Sequence, residues 1–361
     1  MYQQGIILET RDSSYSPSNC IDYRSMHHTE SSNTQNAELP WQQHMRRAIR
    51  SAEQLESYLG LGAGTFGPSG NATELFPLFV PLPFADRIEA GNLTDPLLLQ
   101  VLPVEAESSS PDSYQTDPVS DLKHRIAPGV IHKYRGRALL ITTGTCAVHC
   151  RYCFRREYPY GEEPRSMDTW KSAMEAIRDD DSLSEVILSG GDPLTLSDSR
   201  LAVLIELIEA IPHVDRLRIH TRLPIMIPSR VTAEFCKLIK DSRLSSVIVI
   251  HMNHVREWDA DVEAAISCIK ATGAPVLNQA VLLRDINDTA NAQVELCESL
   301  INRGVLPYYL NQLDRVRGAA HFEVPIAEGK QIMTELRTRL PGYAVPRYVQ
   351  DLGEDSKTLI V

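Results

Sequence analysis

The sequence predicts an α/β protein whose core is an open, partial barrel of six parallel strands, (β/α)6, preceded by an N-terminal helical cap. Beyond His132, short β-rich runs alternate with amphipathic stretches, the pattern of a parallel sheet built from βα units. The six runs are too few to close an eight-stranded barrel. At 361 residues the chain is long for an ordinary domain but suits one α/β barrel with appendages.

Residues 1–40 are rich in Ser, Asn, Gln, Thr and His and poor in core-formers, so they read as a disordered leader. Residues 41–131 form the cap and its linker: WQQHMRRAIRSAEQLESYLGL and LFPLFVPLPFADRIEAGN carry helical patterning, and VEAESSSPDSYQTDPVSD reads as loop. The barrel occupies 132–342, with strands expected at 138–143, 185–190, 216–221, 246–251, 275–283 and 306–313. Helical patterns such as SRLAVLIELIEAI, TAEFCKLIKDS, EWDADVEAAISCIKATG and TANAQVELCESLINRG separate them, two ending at a glycine. Residues 343–361 make a short C-terminal segment.

The formal charge of −11, with charges scattered rather than blocked, argues against a nucleic-acid footprint or a polybasic membrane patch. No apolar run is long enough to span a bilayer, and the N-terminus lacks a secretory pattern, so a cytoplasmic protein acting on a small molecule is expected. Cys20, Cys236, Cys268 and Cys297 are isolated among the seven cysteines, which is no disulfide framework. The last three fall in helical patterns and read as small core residues.

Cys146, Cys150 and Cys153 are different. TTGTCAVHCRYCFRR sets three cysteines, spaced C-x3-C-x2-C, on a loop directly after the first barrel strand. A four-iron cluster takes four ligands. Three cysteines leave one iron open, where S-adenosylmethionine could chelate and receive an electron. A zinc site would want a fourth ligand such as His149. The spacing resembles that of radical S-adenosylmethionine (radical SAM) enzymes, which place an aromatic residue where Tyr152 stands. SGGDPL then closes the second strand, and Ser189, Gly190, Gly191 and Asp192 match the turn with which those enzymes bind the methionine end of S-adenosylmethionine; in isolation the glycine pair is an ordinary turn.

From His132 to Lys357 the chain resembles the lysine 2,3-aminomutase family. The resemblance lies in KYRGRALLITTGTCAVHCRYCFRR, SGGDPL, RIHTRLPIMIPSRVT, HMNH, LNQAVLLRDINDT, PYYLNQLDRVRGAAHF and GYAVPRYVQD. The cap also resembles the short bacterial members that supply β-lysine for modification of elongation factor P. The resemblance implies a [4Fe-4S] cluster, S-adenosylmethionine and pyridoxal 5′-phosphate (PLP). It assigns Lys357, in LGEDSKT, as the Schiff-base lysine, a residue that would otherwise read as a solvated tail. Lys133, Tyr134 and Arg137 match the PLP-holding segment, which unaided reads as a basic surface turn. Arg155 matches the arginine that grips the substrate carboxylate, with Arg156 structural. Asp288 and Asp351 match carboxylates for the distal ammonium, although Asp288 could equally cap the next helix. Gln279 and His251 match positions near S-adenosylmethionine, or are satisfied core residues.

The implied reaction is migration of the α-amino group of L-lysine to C3, giving β-lysine. Its partners would be an electron donor such as a flavodoxin or ferredoxin and, indirectly, elongation factor P with its lysyl ligase. The rival readings are an aminomutase for arginine or, against the acidic pair, glutamate; a radical SAM maturase of a peptide or RNA without PLP; and a zinc-binding interaction module.

Overall fold

A computed structural model describes residues 40–164, 166–353 and 357–360; the expected leader up to residue 39, and the stretch 354–356 before Lys357, lie outside the described residues. Ten strands form one sheet in sequence order: β1 (Arg125–Ala127), β2 (Val130–Tyr134), β3 (Arg137–Thr143), β4 (Glu185–Gly190), β5 (Arg216–Thr221), β6 (Ser245–His251), β7 (Val276–Val281), β8 (Leu306–Asn311), β9 (Arg347–Gln350) and β10 (Thr358–Leu359). The six expected strands are β3 to β8, each parallel to the next. The sheet then runs further than the sequence reading expected. β9 adds a seventh parallel strand, β1 and β2 extend one edge antiparallel, and β10 turns back on β9. No pairing joins β1 to β10 among the described residues, so the sheet stays open.

The additions matter because they carry site residues. KYRGR is not a surface turn: Lys133 and Tyr134 end β2, and Gly136, at φ +77°, turns the chain into β3. The C-terminus is likewise no solvated tail. Thr358 and Leu359 pair with Gln350 and Val349, the Ile360 N–H donates to the Tyr348 carbonyl (2.9 Å), and Ile360 is buried. Lys357 is therefore held where β10 begins.

Alternation along the strands sorts side chains to two faces. In β5, Leu217, Ile219 and Thr221 are buried while Arg218 and His220 face the other way; in β7, Val276, Asn278 and Ala280 are buried while Gln279 and Val281 face that same side. The buried face packs on helices Asp198–Glu209, Ala233–Asp241, Ala260–Ala271 and Ala290–Asn302 in one continuous apolar core. Ser197, Thr232, Asp259 and Thr289 cap these helices through side-chain oxygens. Cys236, Cys268 and Cys297 lie on these helices as free thiols, Cys297 buried and the others half-buried.

The cap consists of short helices, among them Pro40–Arg46, Ala52–Tyr58 and Pro96–Leu99. Among the described residues, no helix is long and apolar enough to cross a membrane.

Candidate active site

A cavity of about 480 Å³ opens at the C-terminal ends of the parallel strands. Every site residue expected from the sequence lines it except Asp288. Asp288 precedes helix Ala290–Asn302 and pairs with Arg284 at 3.0 Å. It is not the N-cap either, since the Thr289 side chain accepts from Ala292 N. Asp288 is absent from the lining, and Asp314, which follows β8, lines the cavity together with Asp121, Asp192 and Asp351.

The cysteine loop follows β3 and is fixed by the cap. Arg151 is fully buried and donates to both oxygens of Glu107 (2.9 and 2.6 Å) and to the carbonyl of Phe76 (2.7 Å). Arg156 joins the same carboxylate at 2.8 Å, a structural role. Burial and the neighbouring Cys153 push the Cys146 thiol well up; burial and Cys150 push Cys153 up to about 11. The raised Cys146 and Cys153 thiols, with half-buried Cys150 between them in the loop, suit a cationic iron–sulfur core, which favours the thiolate. Among the described residues no three His, Cys, Asp or Glu side chains converge to hold a single metal ion. A four-iron core gives each thiolate its own iron and so asks for a wider spread.

The glycines after β4 serve the loop. A Cβ on Gly191 would lie 2.3 Å from the Thr145 carbonyl oxygen, and one on Gly190, at φ +117°, 2.6 Å from that of Thr143. They let two backbones pack, beyond the approach to a ligand expected of them. Asp192 is saturated by Thr221 Oγ1 (2.8 Å) and the N–H groups of Leu194, Arg222 and Leu223 (3.0, 2.7 and 3.1 Å). It joins β4 to β5 and has little left for a ligand. Arg222 donates to Tyr152 Oη (2.6 Å), Gln100 Oε1 (2.6 Å), Glu257 Oε2 (3.1 Å) and Cys150 Sγ (2.7 Å). Tyr152 thus sits in a buried polar network beside His251, whose imidazole burial and Arg222 hold down to about 3 and therefore neutral. His251 and Gln279 are register neighbours on β6 and β7.

At the other end, burial lowers the pKa of Lys357, favouring the uncharged, nucleophilic amine. Its Nζ donates to Asn311 Oδ1 (2.6 Å) and lies 5.1 Å from the Tyr309 ring centroid. Asp351 accepts from Lys133 Nζ and Tyr134 Oη, both at 2.5 Å. Burial alone would raise this acid, but Lys133 and Tyr134 outweigh it and the pKa falls. Arg137 stacks over Tyr134 at 4.7 Å. Arg155 donates through Nε to Asp121 (2.8 Å) and through Nη1 to Ser189 Oγ (3.1 Å). Asp314 differs from Asp351: no hydrogen-bond donor reaches its carboxylate among the described residues, and burial, against Lys357, raises it to about 7. The donor set fits PLP, with a depressed buried amine, the guanidinium groups of Arg137 and Arg218 on the wall for a phosphate, and His220, whose buried Nε2 has no partner.

The pattern described as the Radical SAM superfamily matches residues 140–288, which span the cysteine loop and the strands through β7. An L-lysine 2,3-aminomutase of Haemophilus influenzae is 43% identical over 320 residues, 88% of this chain and 95% of that protein. The Escherichia coli protein of the same name is 43% identical over 335 residues, covering 92% of this chain and 97% of its own length. The chain belongs to the L-lysine 2,3-aminomutase family. The family's longer members match as well: that of Clostridium subterminale is 30% identical over 89% of this chain and 77% of its own length. Membership makes the chain a radical SAM isomerase.

Several cavity residues escaped the sequence reading. Asp121 falls in a stretch that reads as loop, and only its approach to Arg155 gives it meaning. His220 sits in β5, which patterning identifies but whose inward face it does not rank, and Arg222 directly follows that strand. Asp314 stands in PYYLNQLDRVRG, three residues after Asn311, and its position just past a strand end is the available signal.

Proposed function

We propose that this aminomutase converts L-lysine to β-lysine by 2,3-amino migration in the cytoplasm, using a [4Fe-4S] cluster, S-adenosylmethionine and PLP. The observation that carries the reading is the charge layout of one cavity: three thiols on one rim, a depressed lysine amine, an arginine, and a carboxylate with no internal partner. When bound, the cluster with S-adenosylmethionine supplies a hydrogen-abstracting radical, and PLP supplies an electron-withdrawing ring conjugated to the migrating nitrogen.

The chain's own residues do the rest. Cys146, Cys150 and Cys153 would hold the cluster, with Ser189, Gly190, Gly191, His251, Gln279 and Tyr152 shaping the S-adenosylmethionine side. Lys357 offers its uncharged amine to the cofactor carbonyl, and Lys133, Tyr134 and Arg137 border that pocket. Arg155 has two edges already fixed, and its remaining N–H groups are set to take the substrate carboxylate. Asp314 would receive the distal ammonium, because Asp351 is already neutralised by Lys133. A dicarboxylic substrate would set its side chain against Asp314 and Asp351.

Reduction of the cluster calls for an electron donor of flavodoxin or ferredoxin type, and the β-lysine formed would go to the lysyl ligase that modifies elongation factor P. The test is Lys357→Ala. It should bind iron as the parent does while losing both the visible absorbance of bound PLP and product formation; retained turnover would overturn the assignment of this lysine.

A further inference from the structure

The cysteine loop approaches the protein surface through His149, which stands between Cys146 and Cys150. Its N–H donates to the Phe79 carbonyl (3.0 Å), and its Nδ1 lies 2.7 Å from that of Pro77. The ring stacks on Phe76 at 4.7 Å and tilts against Phe79 at 5.6 Å. The Arg50 guanidinium lies over Phe79, 4.6 Å from its centroid. A ladder of flat groups thus leads from Arg50 to the residue beside Cys150. Leu75 is 59% exposed and Pro77 is exposed, so the loop over the cysteines presents an apolar, aromatic face to solvent.

Arg50 lies on that face, and Arg46 and Arg47 precede it by four and three residues, Arg47 sharing its surroundings at His44 and Tyr58 with Asp86. Arg46, Arg47 and Arg50 are exposed, and residues 40–52, PWQQHMRRAIRSA, contain no acid. This runs against the whole chain, where 47 acidic residues outnumber 36 basic ones. Glu74 marks the edge of the face. An apolar centre with an arginine rim is the make-up of a protein–protein contact. On a chain of charge −11, an acidic partner is repelled elsewhere and drawn here.

We infer that the face formed by Arg46, Arg47, Arg50, Leu75, Phe76 and Phe79 is where a small acidic one-electron carrier docks to reduce the cluster. The inference rests on the proposed function, which gives the cysteines a cluster that must receive an electron from outside. The carrier is a flavin or iron–sulfur protein with an acidic surround to its exposed prosthetic group. It would stop with that group facing His149, the residue next to Cys150. The contact should be small and salt-sensitive, as transient redox encounters are. One electron passes from the reduced carrier to the cluster at each encounter, and the carrier leaves oxidised.

The experiment compares the reconstituted parent with Arg47→Glu/Arg50→Glu, residues outside the cavity. Three readouts are taken: calorimetric Kd for oxidised flavodoxin at low and high salt, the absorbance-monitored rate of cluster reduction by reduced flavodoxin, and product formation driven by dithionite. The double variant should bind flavodoxin roughly tenfold or more weakly at low salt, lose most of the salt dependence, and be reduced correspondingly slowly. Its dithionite-driven rate should match the parent's. An unchanged flavodoxin Kd and reduction rate would overturn the docking face. If the parent makes no β-lysine with dithionite, the proposed reaction falls instead, and the flavodoxin affinities decide the docking face by themselves.

Discussion

Replacing Asp314 with Asn should make the protein more stable and less active, and both effects follow from one carboxylate. Burial lifts this acid from its ordinary 3.8 to about 7, so the folded chain holds the proton more tightly than the unfolded chain does. Stability is therefore full at low pH and declines as pH rises from about 4 through about 7. The displacement corresponds to roughly 4 kcal/mol at pH 8, an upper bound because the site faces an open cavity. Asn keeps the shape and removes the charge, so urea denaturation at pH 8 should show a raised midpoint, with the gain shrinking as pH falls and little change left by about pH 3.5. Catalysis should move the other way, since truncating one partner of a desolvated charge pair costs about 3 kcal/mol, or roughly a hundredfold in kcat/KM for lysine. In the parent, kcat/KM should fall by about tenfold per pH unit below 7 as Asp314 takes up its proton, and the Asn variant should lack that limb. Activity within roughly threefold of the parent, with the acid limb intact, would refute the assignment of this residue.

Other consequences follow from the same geometry. Asp288→Ala should change lysine kcat/KM by less than about twofold, because its partner Arg284 lies outside the cavity and surface pairs contribute little; steady-state kinetics decide this. Asp121→Ala leaves the Arg155 guanidinium buried without its counter-charge and should lower unfolding stability by roughly 3 kcal/mol, read from the denaturant midpoint; an unmoved midpoint would mean the pair is solvated. Gly191→Ala would drive a Cβ against the Thr145 carbonyl and should cost about 2 kcal/mol or more, with iron content after reconstitution reduced because the cysteine loop shifts; normal iron loading would contradict the packing role given to this glycine.

The sequence reads well where local pattern and tertiary need agree. All six expected strands form, since β-rich runs between capped amphipathic helices leave few alternatives, and the C-x3-C-x2-C spacing marks the loop regardless of its surroundings. What the pattern hides is decided at long range. β2 reads as a turn because Lys133 and Tyr134 are polar, and their place in a strand comes from pairing with β3 and from Asp351, more than two hundred residues away. β10 is two residues long and carries no periodic signal at all. Asp288 and Asp314 are indistinguishable as letters. Only the fold shows one spent on Arg284 and the other buried beside Lys357 with no donor. At Asp192 the motif points to a ligand, and what it does not show is the four hydrogen bonds that tie this carboxylate to the scaffold.

The most direct measurement is chromatography of products after anaerobic reconstitution with iron, sulfide, S-adenosylmethionine and PLP, with L-lysine, L-arginine and L-glutamate supplied separately under dithionite. The cavity as described predicts β-lysine from L-lysine and no product from glutamate. No product from L-lysine, or product from arginine alone, would contradict it.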